Sequence, residues 1–351
     1  MKLGIVSCML LAGLTTNAHA TAPRLIIGAE ITPFVIADQT TTSTFRINGL
    51  STRGYAVGNK VIVSRLSNPT REITTIFAFY RTGVQGIQII PKLGEFGYAR
   101  AIAVNNVNEI LGTFSTASTA YPEGGGTDVA SVNLTNFMTT SAATFQFAGN
   151  EAVAINDIDD VLLRNTQGQG FLWPARNMPG LDQLLFPNSI NDRRQIAGAT
   201  IVGGVPVPAI YNEFNVIEPR PLPPTFTAGR FTRINRWKQC IGYAFNSTQT
   251  RFFFHSPISG YKLLGVGGGS GRTDVRGFNN NGWAVGRVGA QGMVWINGVD
   301  YSANQIMQGM AAGDSIEDVT AISDRNYMIA LVRNTTTGLR WVMLEPAPPA
   351  P

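Results

Sequence analysis

One short pattern recurs along this chain: an apolar residue, an Asn, two or three polar or turn-forming residues, then an alternating apolar run that closes on Gly. It reads Val104-Asn105-Asn106-Val107-Asn108-Glu109-Ile110-Leu111-Gly112, then Ile155-Asn156-Asp157 leading to Val161 and Leu163, then Ile190-Asn191-Asp192 leading to Ile196-Ala197-Gly198. It returns as Ile234-Asn235 to Ile241-Gly242 and as Phe278-Asn279-Asn280-Asn281-Gly282-Trp283-Ala284-Val285-Gly286. Two weaker copies, Leu50-Ser51 to Gly58 and Ile322-Ser323 to Ala330, put Ser where the others have Asn. The anchors fall at 51, 105, 156, 191, 235, 279 and 323, and the last three intervals are each 44 residues. A fixed period of this kind constrains the fold before any local propensity is considered.

Each copy reads as a β-hairpin. Alternation of apolar residues such as Ala101, Ala103 and Ile110 has the period of two that places one face inward. Asn-Asp and Asn-Asn-x-Gly supply residues that tolerate left-handed turn geometry. The anchor Asn thus reads as a turn residue, the other role open to it being a polar ligand presented at equivalent places around the fold. Bulky β-formers follow each hairpin and predict a third strand at Ile76–Tyr80, Val129–Val132, Phe171–Trp173, Ala209–Tyr211, Phe252–His255, Met293–Trp295 and Arg340–Met343. Looser runs at 181–186, 260–264 and 299–307 predict a fourth.

Four strands repeating at about 44 residues is the length of a β-propeller blade. The expected fold is therefore all-β, a seven-bladed propeller over residues 21–345, ahead of a β-solenoid, whose repeat is shorter, or a β-sandwich, which does not call for seven similar units. The last copy runs into Pro346-Ala347-Pro348-Pro349-Ala350-Pro351, a tail that cannot continue a sheet. Blade seven then lacks a strand, and Arg24–Ile27 or Ile31–Ile36 is expected to supply it and close the ring.

The combination of Ile190-Asn191-Asp192 and Ile196-x-Gly198 with a Phe-Leu-Trp strand resembles the bacterial extracellular repeats called HAF repeats. The resemblance spans nearly all of the chain after residue 20, although no His-Ala-Phe is present and Gly170-Phe171-Leu172-Trp173 is the nearest form. It implies export and a repeat fold, and no particular activity.

Residues 1–20 read as a secretory signal: Lys2 starts it, Leu3–Leu14 is apolar, and Ala18-His19-Ala20 is a small-x-small cleavage site. The apolar run is too short to span a bilayer, and most of it lies after Cys8, so neither a membrane anchor nor lipidation is expected. A periplasmic or extracellular protein with Cys240 as its one remaining cysteine has no internal disulfide and must rest on buried apolar surface. The net charge of +5 comes from dispersed basic residues without an aromatic-interleaved stripe, which argues against nucleic acid.

Catalytic material is sparse. A Ser, His and Asp triad would have to use His255, inside an apolar strand, and no nucleophile elbow accompanies it. Asn156-Asp157-Ile158-Asp159-Asp160 has oxygen enough for calcium but lacks the Gly and Glu of the calcium loop, so it reads as a solvated turn. Residues 265–271 are Gly-rich without the Lys-Ser or Lys-Thr of a phosphate loop, and like Gly124–Gly126 read as an inter-strand loop. Cys240 reads as a small core residue. No cofactor or metal is called for. Carboxylate and arginine pairs such as Asp274 with Arg272, or Asp182 with Arg176, are possible members of a glycosidase or lyase site.

The first two intervals exceed the period, which predicts longer loops in blades one and two. Tyr121, Glu123 and Asp128 in the second of these are the candidate binding residues. A non-enzymatic binding or scaffold protein that contacts a glycan or an envelope protein is the favoured function, with a carbohydrate-active enzyme acting at the channel mouth as the alternative. An enzyme would break the repeat symmetry with convergent charges; a scaffold need not.

Overall fold

The structure, a computed structural model, describes residues 24–31, 41–67, 70–81, 87–90, 99–115, 134–139, 144–147, 151–265 and 272–347. Its strands form seven sheets in chain order around a central channel, a seven-bladed β-propeller. The four sheets of blades one, two, four and five each hold four consecutive antiparallel strands, as does blade six. Among the described residues no helix is long and apolar enough to cross a membrane.

Every anchor sits in the turn between the first and second strand of its blade, and the first strands line the channel. Blade five illustrates the register: Ala228–Ile234 pairs with Cys240–Phe245, which pairs with Thr250–Ser256, which pairs with Gly260–Leu263. The first strand carries a bulge just before the anchor, at Asn48, Ile102, Val153, Thr232, Arg276 and Thr320 in six of the blades. A bulge adds a residue to one strand and re-aims the side chains around it. Where the repeat closes on Gly, the reason is close approach. A Cβ on Gly58, Gly112, Gly242 or Gly286 would run into the carbonyl of Arg46, Arg100, Arg230 or Asp274 across the pair.

The core is divided among the blade interfaces. Each of seven apolar clusters among the described residues joins two neighbouring blades, as Ala197 and Ile210 of blade four meet Phe231, Cys240 and Phe253 of blade five. A fully buried side chain of this kind contributes about 1.5–3 kcal/mol.

Ring closure follows the expectation. Leu25–Ile31 pairs antiparallel with Gly338–Pro346, in the registers Leu25 with Pro346 and Ile31 with Trp341 on either side of a bulge, and Ala347 N–H donates to the Arg24 carbonyl at 2.9 Å. Met307–Gln308 pairs parallel to the same strand, so blade seven has five strands.

Three strand assignments need correction. The third strand of blade two is Leu134–Thr139, and Val129–Val132 lies outside the described residues. Residues 181–186 do not complete blade three, which has three described strands: Leu181–Gln183 is a single 3₁₀ turn after left-handed Gly180, and Leu185–Ile190 already begins blade four. The run 299–307 splits into a strand, Val299–Ser302, a helical turn, Ala303–Ile306, and the two residues that join blade seven. Leu181 and Leu184 of the second run and Ala303 and Ile306 of the third are buried, which hydropathy registers; the strand such residues belong to depends on which blade they face.

Leu25 is fully buried among Val319, Val342 and Leu344, so truncating it tests the closure. Leu25→Ala is expected to lower the unfolding free energy by about 2–5 kcal/mol, the range for large-to-small changes in a core, measured by urea denaturation. A midpoint unchanged from the parent would mean that the N-terminal strand does not hold the ring closed.

Candidate functional site

The hairpin turns build one end of the channel. In each Asn-type turn the side-chain Oδ1 accepts from the backbone N–H groups that follow, as Asn235 does from Trp237 at 3.0 Å and Gln239 at 3.0 Å. Its Nδ2 then donates to the backbone carbonyl of the next blade's anchor. These bonds run from Asn105 to Asn156 at 3.0 Å, Asn156 to Asn191 at 3.2 Å, Asn191 to Asn235 at 2.9 Å, Asn235 to Asn279 at 3.2 Å and Asn279 to Ser323 at 2.9 Å. Turn and inter-blade bonds together engage both ends of the buried carboxamide, so the anchor Asn is a turn residue and a staple between blades. It is not displayed for a ligand. Ser323 and Ser51 keep the cap, accepting from Tyr327 and Tyr55 N–H at 3.2 Å each. A hydroxyl is too short to reach onward, and Ser51 Oγ instead donates to Asn108 Oδ1 at 2.7 Å.

The next residue of each turn makes a second ring. Thr52, Asn106 and Asp157 each donate a backbone N–H to the side chain one blade on, Asn106, Asp157 and Asp192, at 3.1, 2.7 and 2.9 Å. Arg236 and Asn280 do the same to Asn280 and Asp324 at 2.8 Å each. Asn106 Nδ2 spans the opening, donating to both Asp157 and Asp324 at 2.9 Å. A cavity of about 230 Å³ lies inside this narrow mouth. Burial, with repulsion from Asp157 and Asp324, raises the Asp192 pKa above the ordinary carboxylate range, against the pull of the Asp157 N–H and Arg236.

The wide end of the channel holds a cavity of about 730 Å³, within the roughly 300–1,000 Å³ usual for ligand sites. Among the described residues five arginines line it, Arg46, Arg100, Arg164, Arg233 and Arg276, with two carboxylates, Glu151 and Asp318. Arg164 pairs with exposed Glu151 at 2.6 Å. Arg276 reaches Asp274 at 2.8 Å and Asp318 Oδ2 at 3.4 Å. Asp318 is buried, its Oδ1 has no partner, and desolvation raises its pKa although Arg276 and Arg287 draw it down. Burial likewise lowers the Arg233 pKa, and its guanidinium donates to the carbonyls of Thr232 at 2.9 Å and Arg276 at 3.4 Å. Asn48, Arg233, Arg276 and Thr320 line both cavities and form the waist between them.

These arginines escaped the reading of the sequence, where basic residues look dispersed. A signal was present: Arg46, Arg100, Glu151 and Asp318 each lie five residues before an anchor, one slot of the repeat. Recognising the slot as channel-facing required the bulge, which strict alternation does not anticipate.

The other candidates fare differently. Tyr121, Glu123, Asp128 and Gly124–Gly126 lie outside the described residues, as do residues 266–271 of the Gly-rich run. The turn at 156–160 is exposed at Ile158 and Asp159, but Asp160 at its end is fully buried and accepts from Arg176 Nε at 2.6 Å and Arg194 Nε at 2.8 Å. Arg176 therefore joins Asp160 and not Asp182, and Asp274 joins Arg276 and not the exposed Arg272. His255 lines neither cavity; it packs 4.7 Å from the Tyr261 ring, and burial takes its pKa down to about 4. Cys240 is a buried core residue whose thiol burial pushes well up.

No family model matches the chain, and no curated protein does. Among solved structures, a virginiamycin B lyase from Staphylococcus aureus aligns over 86% of this chain and 98% of its own at 8% identity, with a TM-score of 0.46. A streptogramin B lyase aligns over 92% and 98% at 9% identity, with a TM-score of 0.47.

Two substitutions test the mouth. Asn191→Ser keeps the turn cap and loses the staple, whereas Asn191→Ala loses both. The expected loss is about 1–3 kcal/mol for each buried group left unpaired, smaller for Ser than for Ala, and equal stability of Asn191→Ser and the parent in urea would exclude the staple. The second concerns Glu109, whose carboxyl is lifted from 4.5 to about 7 by burial and then by the hydrogen bond and charge of Asp159, against the Asn105 amide. The folded state holds a proton that the unfolded chain releases near 4.5. This contribution is complete below pH 4.5 and is lost as pH rises to about 7. Glu109→Gln is expected to flatten that part of the stability profile in urea midpoints taken across the range; an unaltered slope would rule the pair out as its source.

Proposed function

We propose that this chain is an exported, non-enzymatic binding protein that receives a glycan or an envelope component in the wide end of its propeller channel. The cavity there carries the reading. Its lining is rich in hydrogen-bond donors, and each of its two carboxylates is engaged by an arginine, Glu151 by Arg164 and Asp318 by Arg276 through one oxygen. Among the described residues no His, Cys, Lys or Tyr lines it. Acid-base catalysis needs a group positioned to exchange a proton at the working pH, whereas retention of a ligand needs only complementary donors and shape. Export is supported by the Lys2 to Ala20 segment and by the resemblance to extracellular repeats.

One observation favours the alternative, a carbohydrate-active enzyme. Asp318 combines burial, a raised pKa and an unpartnered Oδ1 at the cavity wall, and a perturbed carboxyl in a cleft is suitable material for a general acid. The two readings separate in one experiment. The protein from residue 21 onward is applied to a glycan array, and every retained glycan is assayed for new reducing ends and for unsaturated products. Retention without turnover is the expected result. Turnover abolished by Asp318→Asn would replace the binding reading with the catalytic one.

A further inference from the structure

We propose that the ligand of the wide end is a hydroxylated anion, an acidic sugar bearing carboxylates; this rests on the reading of the channel as a binding site. Charge sets the first requirement. Among the described residues Glu151 pairs with Arg164, and Asp274 and Asp318 pair with Arg276, so the positive charge left for a ligand to meet includes Arg46 and Arg233. Arg233, at the waist, has two carbonyls as hydrogen-bond acceptors, which satisfy its donors without neutralising it. The planar fork of arginine matches a carboxylate through two parallel hydrogen bonds.

Two unmet groups set the second requirement. Arg276 Nε and Asp318 Oδ1 are both buried without a partner, on side chains already joined at 3.4 Å. One needs an acceptor and the other a donor. Buried polar atoms without partners are exceptions that call for an explanation. A fully ionised inorganic anion satisfies only the first, and a neutral apolar ligand satisfies neither. A sugar acid carries a carboxylate and hydroxyls on one ring, so it meets both.

The rest of the lining agrees with a ring of this kind. Asn188, Thr113 and Thr320 offer neutral hydrogen-bonding groups between the arginines, and Trp341 and Leu331 offer an apolar wall. A binding cavity of mainly apolar surface with convergent polar groups is the usual form of a small-molecule site; this one shifts the balance toward donors. Its floor is the waist, beyond which Asp157, Asp192 and Asp324 ring the narrow mouth and repel an anion.

The test is titration calorimetry on the protein from residue 21 onward with three probes: a trimer of galacturonic acid, neutral maltotriose and inorganic sulfate. The acidic trimer is expected to bind, more weakly as salt is added, with maltotriose silent and sulfate at least about tenfold weaker. Arg46→Met, on an exposed rim position, and Arg276→Met are each expected to weaken the trimer about tenfold or more, the loss of a charge-assisted hydrogen bond. Arg193→Met, at the opposite end of the channel, is expected to leave it unchanged. Equal affinity for trimer and maltotriose, with both weakened by Arg46→Met, would overturn the acidic class while the channel stands as the site. Sulfate as tight as the trimer would overturn the hydroxyl requirement. Affinity lost in Arg193→Met but kept in the two wide-end variants would remove the site itself. No heat from any probe would overturn the acidic class, and array retention indifferent to Arg46→Met and Arg276→Met would take the channel reading with it.

Discussion

The carboxamide of the anchor Asn is the interaction on which the ring depends. A propeller has no continuous sheet; its blades meet only through side chains and turns. Apolar clusters supply most of the attraction between them, but apolar contact is non-directional and does not set the angle between one blade and the next. A hydrogen bond from Asn105, Asn156, Asn191, Asn235 or Asn279 to the carbonyl one blade on does set it. Each of these side chains is almost wholly buried, so a blade displaced by an ångström or two would leave a desolvated amide unpaired. Asn alone among the small turn formers combines an acceptor for the cap with a donor for the neighbour. Asp lacks the donor and Ser the reach, which is why the staple stops where Ser323 and Ser51 occupy the anchor.

The polarity of the channel follows from the same repeat read at two of its positions. The residue after the anchor points into the narrow mouth and is acidic or an amide in five blades: Asn106, Asp157, Asp192, Asn280 and Asp324. The slot five residues before the anchor supplies Arg46 and Arg100, with Glu151 and Asp318, to the wide end, and the bulge between the two positions adds Arg276. Duplication of a unit therefore gathers charged side chains at one end, each from a different blade, at separations in sequence that conceal the cluster.

This explains what could be read in advance. Anchors at a constant spacing, Gly at the close approach and bulky third strands such as Phe252–His255 state the blade directly, and the missing strand of the last copy states the closure by Leu25–Ile31. Charge pairs were not legible in the same way. Arg176 and Asp182 are near in sequence, but Arg176 turns to Asp160, buried in the turn of its own blade, where Arg194 of the next blade meets it. Proximity in sequence says little about this pairing: Arg176 follows the turn after Trp173, and Asp182 is exposed in the 3₁₀ turn beyond Gly180. The long loop around Glu123 drew attention as a departure from the period, whereas Arg46 and Arg100 sit in one slot of it.

The boundary between blades seven and one brings these features together. It lacks the Asn staple, since its anchors are Ser323 and Ser51, and it relies instead on the apolar cluster of Ile47, Phe79, Ile329 and Met343. The strand that closes the ring, Leu25–Ile31, adds to the sheet whose third strand carries Trp341, with Ile31 directly opposite that residue. Trp341 and Leu331 wall the wide cavity on the blade-seven side, and Arg46 and Asn48 wall it on the blade-one side. The cavity thus reaches a boundary at which apolar packing stands in place of the amide staple. Packing alone permits small shifts at little cost, while the remaining staples hold blades two to seven in register. A ligand spanning Arg46 and Trp341 would bridge that boundary and supply across it the directional bonds that Asn supplies elsewhere.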